Sequence, residues 1–238
     1  MDLLEALSKI GFTRHESVLY VTLCQEGELT GYEAAKISGL PRSNVYLALA
    51  GLVEKGGAFI SEGEVTRYTP IPAAELVANT RRQMGEVLDY LEKHIPERKT
   101  SSEPYITITG KMQIVNKIKN IISQARERIY LSFAPRELEL VIDELTEAIG
   151  KGLKVVIITT PPFKLDGAVI HYIQKQPGQI RLISDSTNVL TGEIGDEAEP
   201  SCLYSRNKNL IDLIKNSLTN EIKLIVLQSK KNFEVSHE

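Results

Sequence analysis

Hydrophobic positions recur at helical spacing in the first part of this 238-residue chain and then change rhythm. The spacing predicts an amphipathic helix over residues 2–10, which Gly11 ends. A second helix is predicted to start at Thr13, where Glu16 completes a capping box. Two more helices are predicted over residues 30–39 and 41–55. The chain therefore begins with four predicted helices in close succession.

The last two of these helices are joined by a tight turn and form a predicted helix-turn-helix. Thr30 caps the first helix, and Glu33, three residues on, completes its capping box. Gly39 ends that helix because glycine takes the left-handed conformation without a Cβ clash. Pro41 starts the next helix with a φ that already suits it. In a helix-turn-helix the second helix enters the DNA major groove, so its first turn is the expected reading surface.

That first turn carries four candidate DNA-binding side chains. Arg42 suits a bidentate contact with guanine, and Asn44 suits one with adenine. Ser43 and Tyr46 suit contacts with phosphate or packing beside the DNA backbone. Two alternatives stay open: these polar residues only solvate the start of a helix, and Tyr46 packs under the neighbouring hairpin.

A hairpin follows, with strands predicted over residues 58–61 and 65–69. The turn at 62–64 contains Gly63, which supplies the positive φ of a tight hairpin. The helices and hairpin together predict a winged-helix DNA-binding domain over residues 1–72, in which the hairpin is the wing. Thr66 and Arg67 lie where a wing reaches phosphate or the minor groove, although Arg67 equally suits a salt bridge within the wing.

The next segment, residues 73–95, is predicted to be one long helix. Its apolar positions step by four, three and four residues, which is the spacing of a helix that packs on a partner helix. We expect a dimerisation helix here, and the alternative is a helix folded back on its own domain. The positions that set this spacing are Met84, Leu88, Leu91 and Ile95.

Residues 96–104 are polar and bracketed by proline, as in a linker, and a second domain is predicted over residues 105–229, followed by a tail at 230–238. Alternation of strands and helices indicates an α/β sheet with a parallel core, so the fold class is α+β multidomain. Strands are predicted at residues 105–109, 128–133, 153–160, 179–184, 189–190, 202–204 and 222–227, and helices at 111–126, 135–151, 169–174 and 210–218.

Residues 7–78 contain the phrases IGFTRHESVLY, SGLPRSNVYLALAGLVEKG and RYTPIPAAEL. These phrases resemble the TrmB family of transcriptional regulators, in which a tyrosine is common at the position of His15. The resemblance implies a winged-helix regulator of transcription. The segments ARERIYLS, GLKVVIITT and SDSTNVLTG are similar to strands of the family's phospholipase-D-like domain, which has lost catalysis and serves as an effector or dimerisation module.

Catalysis is not expected from the sequence. No histidine is followed two positions later by lysine, as the His-x-Lys signature of phospholipase-D enzymes requires. Four scattered histidines and two distant cysteines offer no metal-ligand spacing, and no cofactor motif is present. Cys24 and Cys202 are expected to be reduced core residues of a cytoplasmic protein.

Composition restrains the DNA-binding interpretation. The formal net charge is -3, and residues 1–99 hold 11 Lys and Arg against 14 Asp and Glu. Non-specific affinity for DNA should therefore be weak and sensitive to salt. The same acidic balance favours the alternative function, a winged-helix protein-interaction module that needs no operator DNA.

A small-molecule effector site is expected beyond the carboxyl ends of the sheet strands, as in other open α/β sheets. That rule selects Ser132, Phe133, Thr159 and Thr160, although bare loops remain an alternative there. The sequence as a whole predicts a homodimeric, sequence-specific transcriptional regulator whose partners are operator DNA and a small effector.

Overall fold

The computed structural model describes residues 1–61, 63–96, 105–195 and 199–235, with side chains described as far as residue 228. The chain divides into two compact units, Met1–Arg98 and Lys99–Glu238. Most of the predicted linker at 96–104 and the last residues of the predicted tail lie outside the described residues. Within the described part, no helix combines the length and apolarity needed to cross a membrane.

The first unit has the helices and hairpin of a winged helix. Both predicted capping boxes are confirmed, since Glu16 accepts from the Thr13 amide at 2.7 Å and Glu33 accepts from the Thr30 amide at 2.8 Å. Its elements in chain order are α1 (Leu3–Lys9), α2 (Arg14–Glu26), β1 (Leu29–Thr30), α3 (Gly31–Ser38), α4 (Arg42–Glu54), β2 (Ala58–Ser61), β3 (Arg67–Pro70) and α5 (Ala73–His94).

In the turn between α3 and α4, Gly39 has its predicted role, whereas Pro41 lies one position earlier relative to the helix than predicted. Gly39 adopts the left-handed conformation at a φ of 69° and ends α3. Pro41 is not the first helical residue but the N-cap of α4, with an extended ψ of 137°. A proline in that position still directs the chain into the helix, because its ring fixes φ at a helix-compatible value.

The three strands of this unit form one antiparallel sheet in the order β1-β3-β2. Leu29 pairs with Tyr68, and Ala58 pairs with Pro70. The second wing strand begins at Arg67 rather than at Val65. The predicted turn at 62–64 lies partly outside the described residues, which omit Glu62. The two-residue strand β1 was not predicted, since it lies directly before the cap of α3 and is too short to show a pattern.

The core of the first unit lies between α2, α3 and α4, with fully buried leucines from α2 and α4 at its centre. The Tyr20 hydroxyl donates to the Ile71 carbonyl at 2.9 Å, which ties α2 to the chain just after the wing. Cys24 is exposed on α2, so the prediction that it is a core residue is wrong, whereas Cys202 is buried as predicted.

Helix α5 leaves its apolar side uncovered. Leu76 near its start is the only residue of this fully described helix that is buried. Met84, Leu88 and Leu91 are 46%, 57% and 43% exposed. The alternative of a helix folded back on its own domain is therefore wrong for this structure.

The second unit is a seven-stranded mixed sheet in the order β4-β10-β9-β8-β5-β6-β7. Its elements are β4 (Ile106–Thr109), α6 (Lys111–Ser123), β5 (Arg128–Phe133), α7 (Pro135–Glu139), α8 (Ile142–Gly150), β6 (Lys154–Thr159), β7 (Val169–Tyr172), β8 (Gln179–Ser184), β9 (Asn188–Glu193), β10 (Ser201–Ser205) and α9 (Lys208–Val235).

The predicted parallel core is present only in part. Strand β5 pairs in parallel with β6, and β6 with β7, while the other four pairings are antiparallel. The sheet has two apolar faces. Helices α6, α7 and α8 pack on one of them, and α9 covers the other.

Three predicted elements of this unit are wrong. The helix expected at 169–174 is strand β7, because β-branched Val169 and Ile170 pair with β6. The helix expected at 135–151 breaks at Val141, which leaves helical geometry at a φ of −133° and is buried.

The strand expected at 222–227 lies inside helix α9. Its apolar run resembles a strand, but Ile211, Leu218 and Ile225 recur every seven residues and pack on the sheet together. Helical periodicity over the longer window prevails over local β-propensity. The boundary expected at residue 230 also falls inside this helix, which runs to Val235.

Candidate functional site

Helix α4 presents one face to the core and the opposite face to solvent. At 100° per residue, Val45, Leu49 and Leu52 point inward and are fully buried. The stripe directly opposite consists of four exposed residues, Ser43, Leu47, Ala50 and Glu54.

The four residues of this helix that were predicted to contact DNA differ in their exposure. Arg42 and Ser43 are exposed, and Tyr46 is 51% exposed. Asn44 is only partly exposed. Leu47 and Ala50 were not predicted, although the same helical periodicity would have placed them on the outward stripe.

Arg42 is held by an aromatic ring from the preceding helix. Its guanidinium carbon lies 4.6 Å from the centre of the Tyr32 ring on α3. A guanidinium above a ring face is attracted by the ring quadrupole and keeps its edge donors available for acceptors. Tyr32 is 54% exposed and was missed by sequence reasoning, because no local pattern links it to Arg42.

Tyr46 packs where α3, α4 and the wing meet. Its ring lies against Gly31, in the first turn of α3, so closely that any side chain at position 31 would overlap it. Burial raises the pKa of the Tyr68 hydroxyl on the wing, and the nearby Tyr46 hydroxyl adds to that rise. The expected packing role of Tyr46 is thus present together with its exposure.

The wing places its two candidate residues on the surface. Thr66 and Arg67 are exposed, and Arg67 Nη1 lies 4.0 Å from Glu33 Oε2. The Thr30 amide and hydroxyl, and then Arg67, hold the pKa of Glu33 below its usual value. An exposed ion pair at this separation contributes little stability.

An ion pair between the exposed Lys55 and the buried Glu16 fixes the far end of α4. Lys55 Nζ donates to Glu16 Oε2 at 2.7 Å and to the Gly11 carbonyl at 2.9 Å. Burial raises the pKa of Glu16, but the bonds from Lys55 and Thr13 outweigh it, and the net pKa is lowered. This pair joins the C-terminal end of α4 to the start of α2.

Three of the four residues predicted for an effector site lie inside the sheet, and Thr160 directly follows strand β6. Ser132, Phe133 and Thr159 are at most 1% exposed. The Thr160 hydroxyl donates to the Ile173 carbonyl and accepts from the Lys175 amide, so both of its hydrogen-bonding roles are used within the protein. Three clefts of the second unit, which include Tyr130, Gln179 and Arg136 respectively, are lined by residues other than these four.

A cleft of about 470 Å³ lies next to them, beyond the carboxyl end of β5. Glu137 in this cleft is 5% exposed, and its Oε1 accepts from the Gly178 amide at 3.0 Å. Its Oε2 is buried and has no hydrogen-bond partner among the described residues. The lining residues are Arg136, Glu137, Gln176, Pro177, Gly178, Glu193 and Gly195.

No group of three or more His, Cys, Asp or Glu side chains is placed to hold a metal ion in the described part of the chain. The outward face of α4, the wing beside it and the separate mixed sheet define a winged-helix protein with an added α/β unit. The chain belongs to the TrmB family: residues 7–74 match the model "Sugar-specific transcriptional regulator TrmB", and residues 105–221 match the N-terminal subdomain of the TrmB EBD.

Similar proteins include two curated relatives and one solved structure. YrhO of Bacillus subtilis is 38% identical over 173 residues, which are 71% of this chain and 63% of that protein. The sugar-sensing transcriptional regulator TrmBL1 of Pyrococcus furiosus is 28% identical over 167 residues, 68% of this chain and 48% of that protein. The chain therefore spans less than two thirds of either relative.

The solved structure is that of TrmBL2, titled as an archaeal chromatin protein with a novel mode of DNA binding. It aligns with 20% sequence identity and a TM-score of 0.47 over 92% of this chain and 96% of that chain.

Proposed function

We propose that this protein is a sequence-specific DNA-binding regulator of transcription that works as a homodimer. The observation that carries the proposal is the exposed Arg42, whose guanidinium is stacked on Tyr32 at the start of α4. Membership in a family of transcriptional regulators supports it. Such a protein would act in the cytoplasm, where it meets its DNA.

DNA reading in this proposal starts from the first turn of α4. Arg42 carries paired donors suited to guanine O6 and N7, and Ser43 and Tyr46 lie beside it for phosphate or sugar contacts. Asn44 has a smaller exposed part and a correspondingly smaller role. Thr66 and Arg67 reach the neighbouring phosphates from the wing.

The exposed side of α5 is the proposed dimer interface. Met84, Leu88, Leu91 and Ile95 follow the spacing of paired helices and are 43–60% exposed in the single chain. Burying these side chains against a second copy would remove apolar surface from water. Two α4 helices related by a two-fold axis would then read half-sites about one DNA turn apart.

The cleft around Glu137 is the proposed effector site of the second unit, close to the predicted Ser132 and Phe133. Glu137 Oε2, which is buried and has no hydrogen-bond partner in the described part of the chain, would accept a hydrogen bond from a ligand hydroxyl or ammonium group. Binding there would regulate DNA affinity only if the ligand prefers one arrangement of the dimer over another. Catalysis is not part of the proposal, because the sequence has no His-x-Lys pair.

Selection of random duplexes with the full-length protein, followed by fluorescence anisotropy at 50–300 mM salt, tests the proposal. We expect enrichment of one pseudo-palindromic sequence, bound more tightly than a scrambled duplex at every salt concentration. Equal affinity for the selected and scrambled duplexes would instead support the alternative, a winged-helix protein-interaction module. The acidic balance of residues 1–99 favours that alternative.

A further inference from the structure

Leu47 is an apolar side chain in the middle of a surface that should be polar if it only meets water. It is 74% exposed, and among the described large apolar side chains only Met1 is more exposed. It lies one turn after Ser43 on the stripe that points directly away from the core. A leucine in this position has apolar surface to bury when a partner covers α4.

The uncharged surroundings of Leu47 favour the edge of a DNA base as that partner. The outward stripe carries no charge between Ser43 and Glu54, and the methyl group of Ala50 lies next to Leu47. The cationic groups lie off the stripe, on Arg42 in the first turn of α4 and on the exposed wing residue Arg67, which lies 4.0 Å from Glu33 of α3. Phosphates are therefore attracted to the flanks, while the uncharged centre of the stripe faces the floor of the groove.

The major groove offers one apolar group to such a surface, the C5-methyl of thymine. We infer that Leu47, assisted by Ala50, is a specificity-determining residue that reads thymine by packing on this methyl group. The inference rests on the proposed function and adds a base preference that Arg42 and Asn44 do not supply. Each half-site would then contain a guanine that binds the hydrogen-bond donors of Arg42 and a thymine whose methyl group packs on Leu47.

Deoxyuridine provides a direct test because it differs from thymidine only in lacking that methyl group. In the duplex selected by the full-length protein, each thymine of one half-site is replaced singly by deoxyuridine, and dissociation constants are measured by anisotropy. We expect one or two replacements to weaken binding of the unaltered protein about three- to fivefold. Leu47→Ala should weaken binding to the thymine duplex by a similar factor and should no longer distinguish thymine from deoxyuridine at those positions.

Leu3→Ala is the matched control, because Leu3 is a 60% exposed leucine on α1. Its response to deoxyuridine should equal that of the unaltered protein. Specific binding that ignores every deoxyuridine, or a deoxyuridine effect that persists in Leu47→Ala, overturns the inference while the proposed function stands. A changed molecular mass for Leu47→Ala would also overturn it, since Leu47 would then serve a contact between protein chains. Failure to select any duplex overturns the proposed function itself.

Discussion

The Arg42 guanidinium lies 4.6 Å from the centre of the Tyr32 ring, so α3 orients the first side chain of α4. This contact couples Arg42, the residue proposed to read guanine, to the helix that precedes α4. A guanidinium restrained on a ring loses less conformational entropy when it binds guanine than one that moves freely.

The first prediction concerns this pair. Arg42→Ala should weaken binding to the selected duplex by about 1–3 kcal/mol. Tyr32→Ala should cost about 0.5–1 kcal/mol of binding free energy, because it removes only the restraint on Arg42. Tyr32→Phe, the matched control, keeps the ring and should bind within about twofold of the original protein. Anisotropy titrations measure all three, and equal losses for Tyr32→Ala and Tyr32→Phe would show that the hydroxyl matters instead.

The second prediction concerns α5. The double variant Met84→Glu, Leu88→Glu should sediment as a monomer, because charge on an apolar interface opposes the association of two copies. Both residues are about half exposed, so the fold of the single chain should survive. Analytical ultracentrifugation gives the mass, and the melting temperature reports the fold. Leu213→Glu, at a 63% exposed leucine of α9, is the control and should leave the mass unchanged.

The third prediction is a pH dependence that arises from Glu16. Its pKa is lowered in the folded protein, so its ion pair with Lys55 stabilises fully above the unfolded value of 4.5. That stability is lost as the pH falls through the lower folded pKa. Glu16→Gln should reduce the free energy of unfolding at pH 7 by about 1.5–3 kcal/mol.

Urea unfolding between pH 3 and pH 7, followed by tyrosine fluorescence, measures this effect. The variant should lose part of the acid dependence seen in the original protein, so the two curves should converge at the lowest pH. The exposed pair Lys9–Glu5 supplies the control, because Glu5→Gln removes an ion pair that water already screens. Parallel pH curves for Glu16→Gln and the original protein would contradict the prediction.

The fourth prediction concerns the attachment of α9 to the sheet. Glu221 accepts from Lys175 at 2.7 Å and from Arg181 at 3.4 Å, and the Lys175 side chain is only 8% exposed. Glu221→Leu should cost about 3–5 kcal/mol, because it leaves a buried ammonium group without its carboxylate. The double variant Lys175→Met, Glu221→Leu should recover much of that loss in thermal unfolding. A double variant as unstable as the single one would show that the pair itself supplies the stability.

Local chemistry accounts for the part of the fold that was predicted well. Thr13 with Glu16 and Thr30 with Glu33 each satisfy amides within one helical turn, so the residues that form the cap also reveal it. The predicted secondary structure was wrong where a short stretch of sequence fitted both a strand and a helix. Residues 222–227 read as a strand until the seven-residue recurrence of Ile211, Leu218 and Ile225 is considered over the whole helix.

The candidate sites were also predicted only as far as local sequence patterns reach. The sequence by itself determined that a helix-turn-helix begins its second helix with Arg42 and Ser43, because caps, glycine and helical period are local properties. Only the tertiary structure decided that Tyr32 lies under Arg42, that Lys55 reaches Glu16, and that Ser132 is sealed within the sheet. These relationships join residues whose proximity follows from packing of whole elements, and no spacing along the chain encodes such packing.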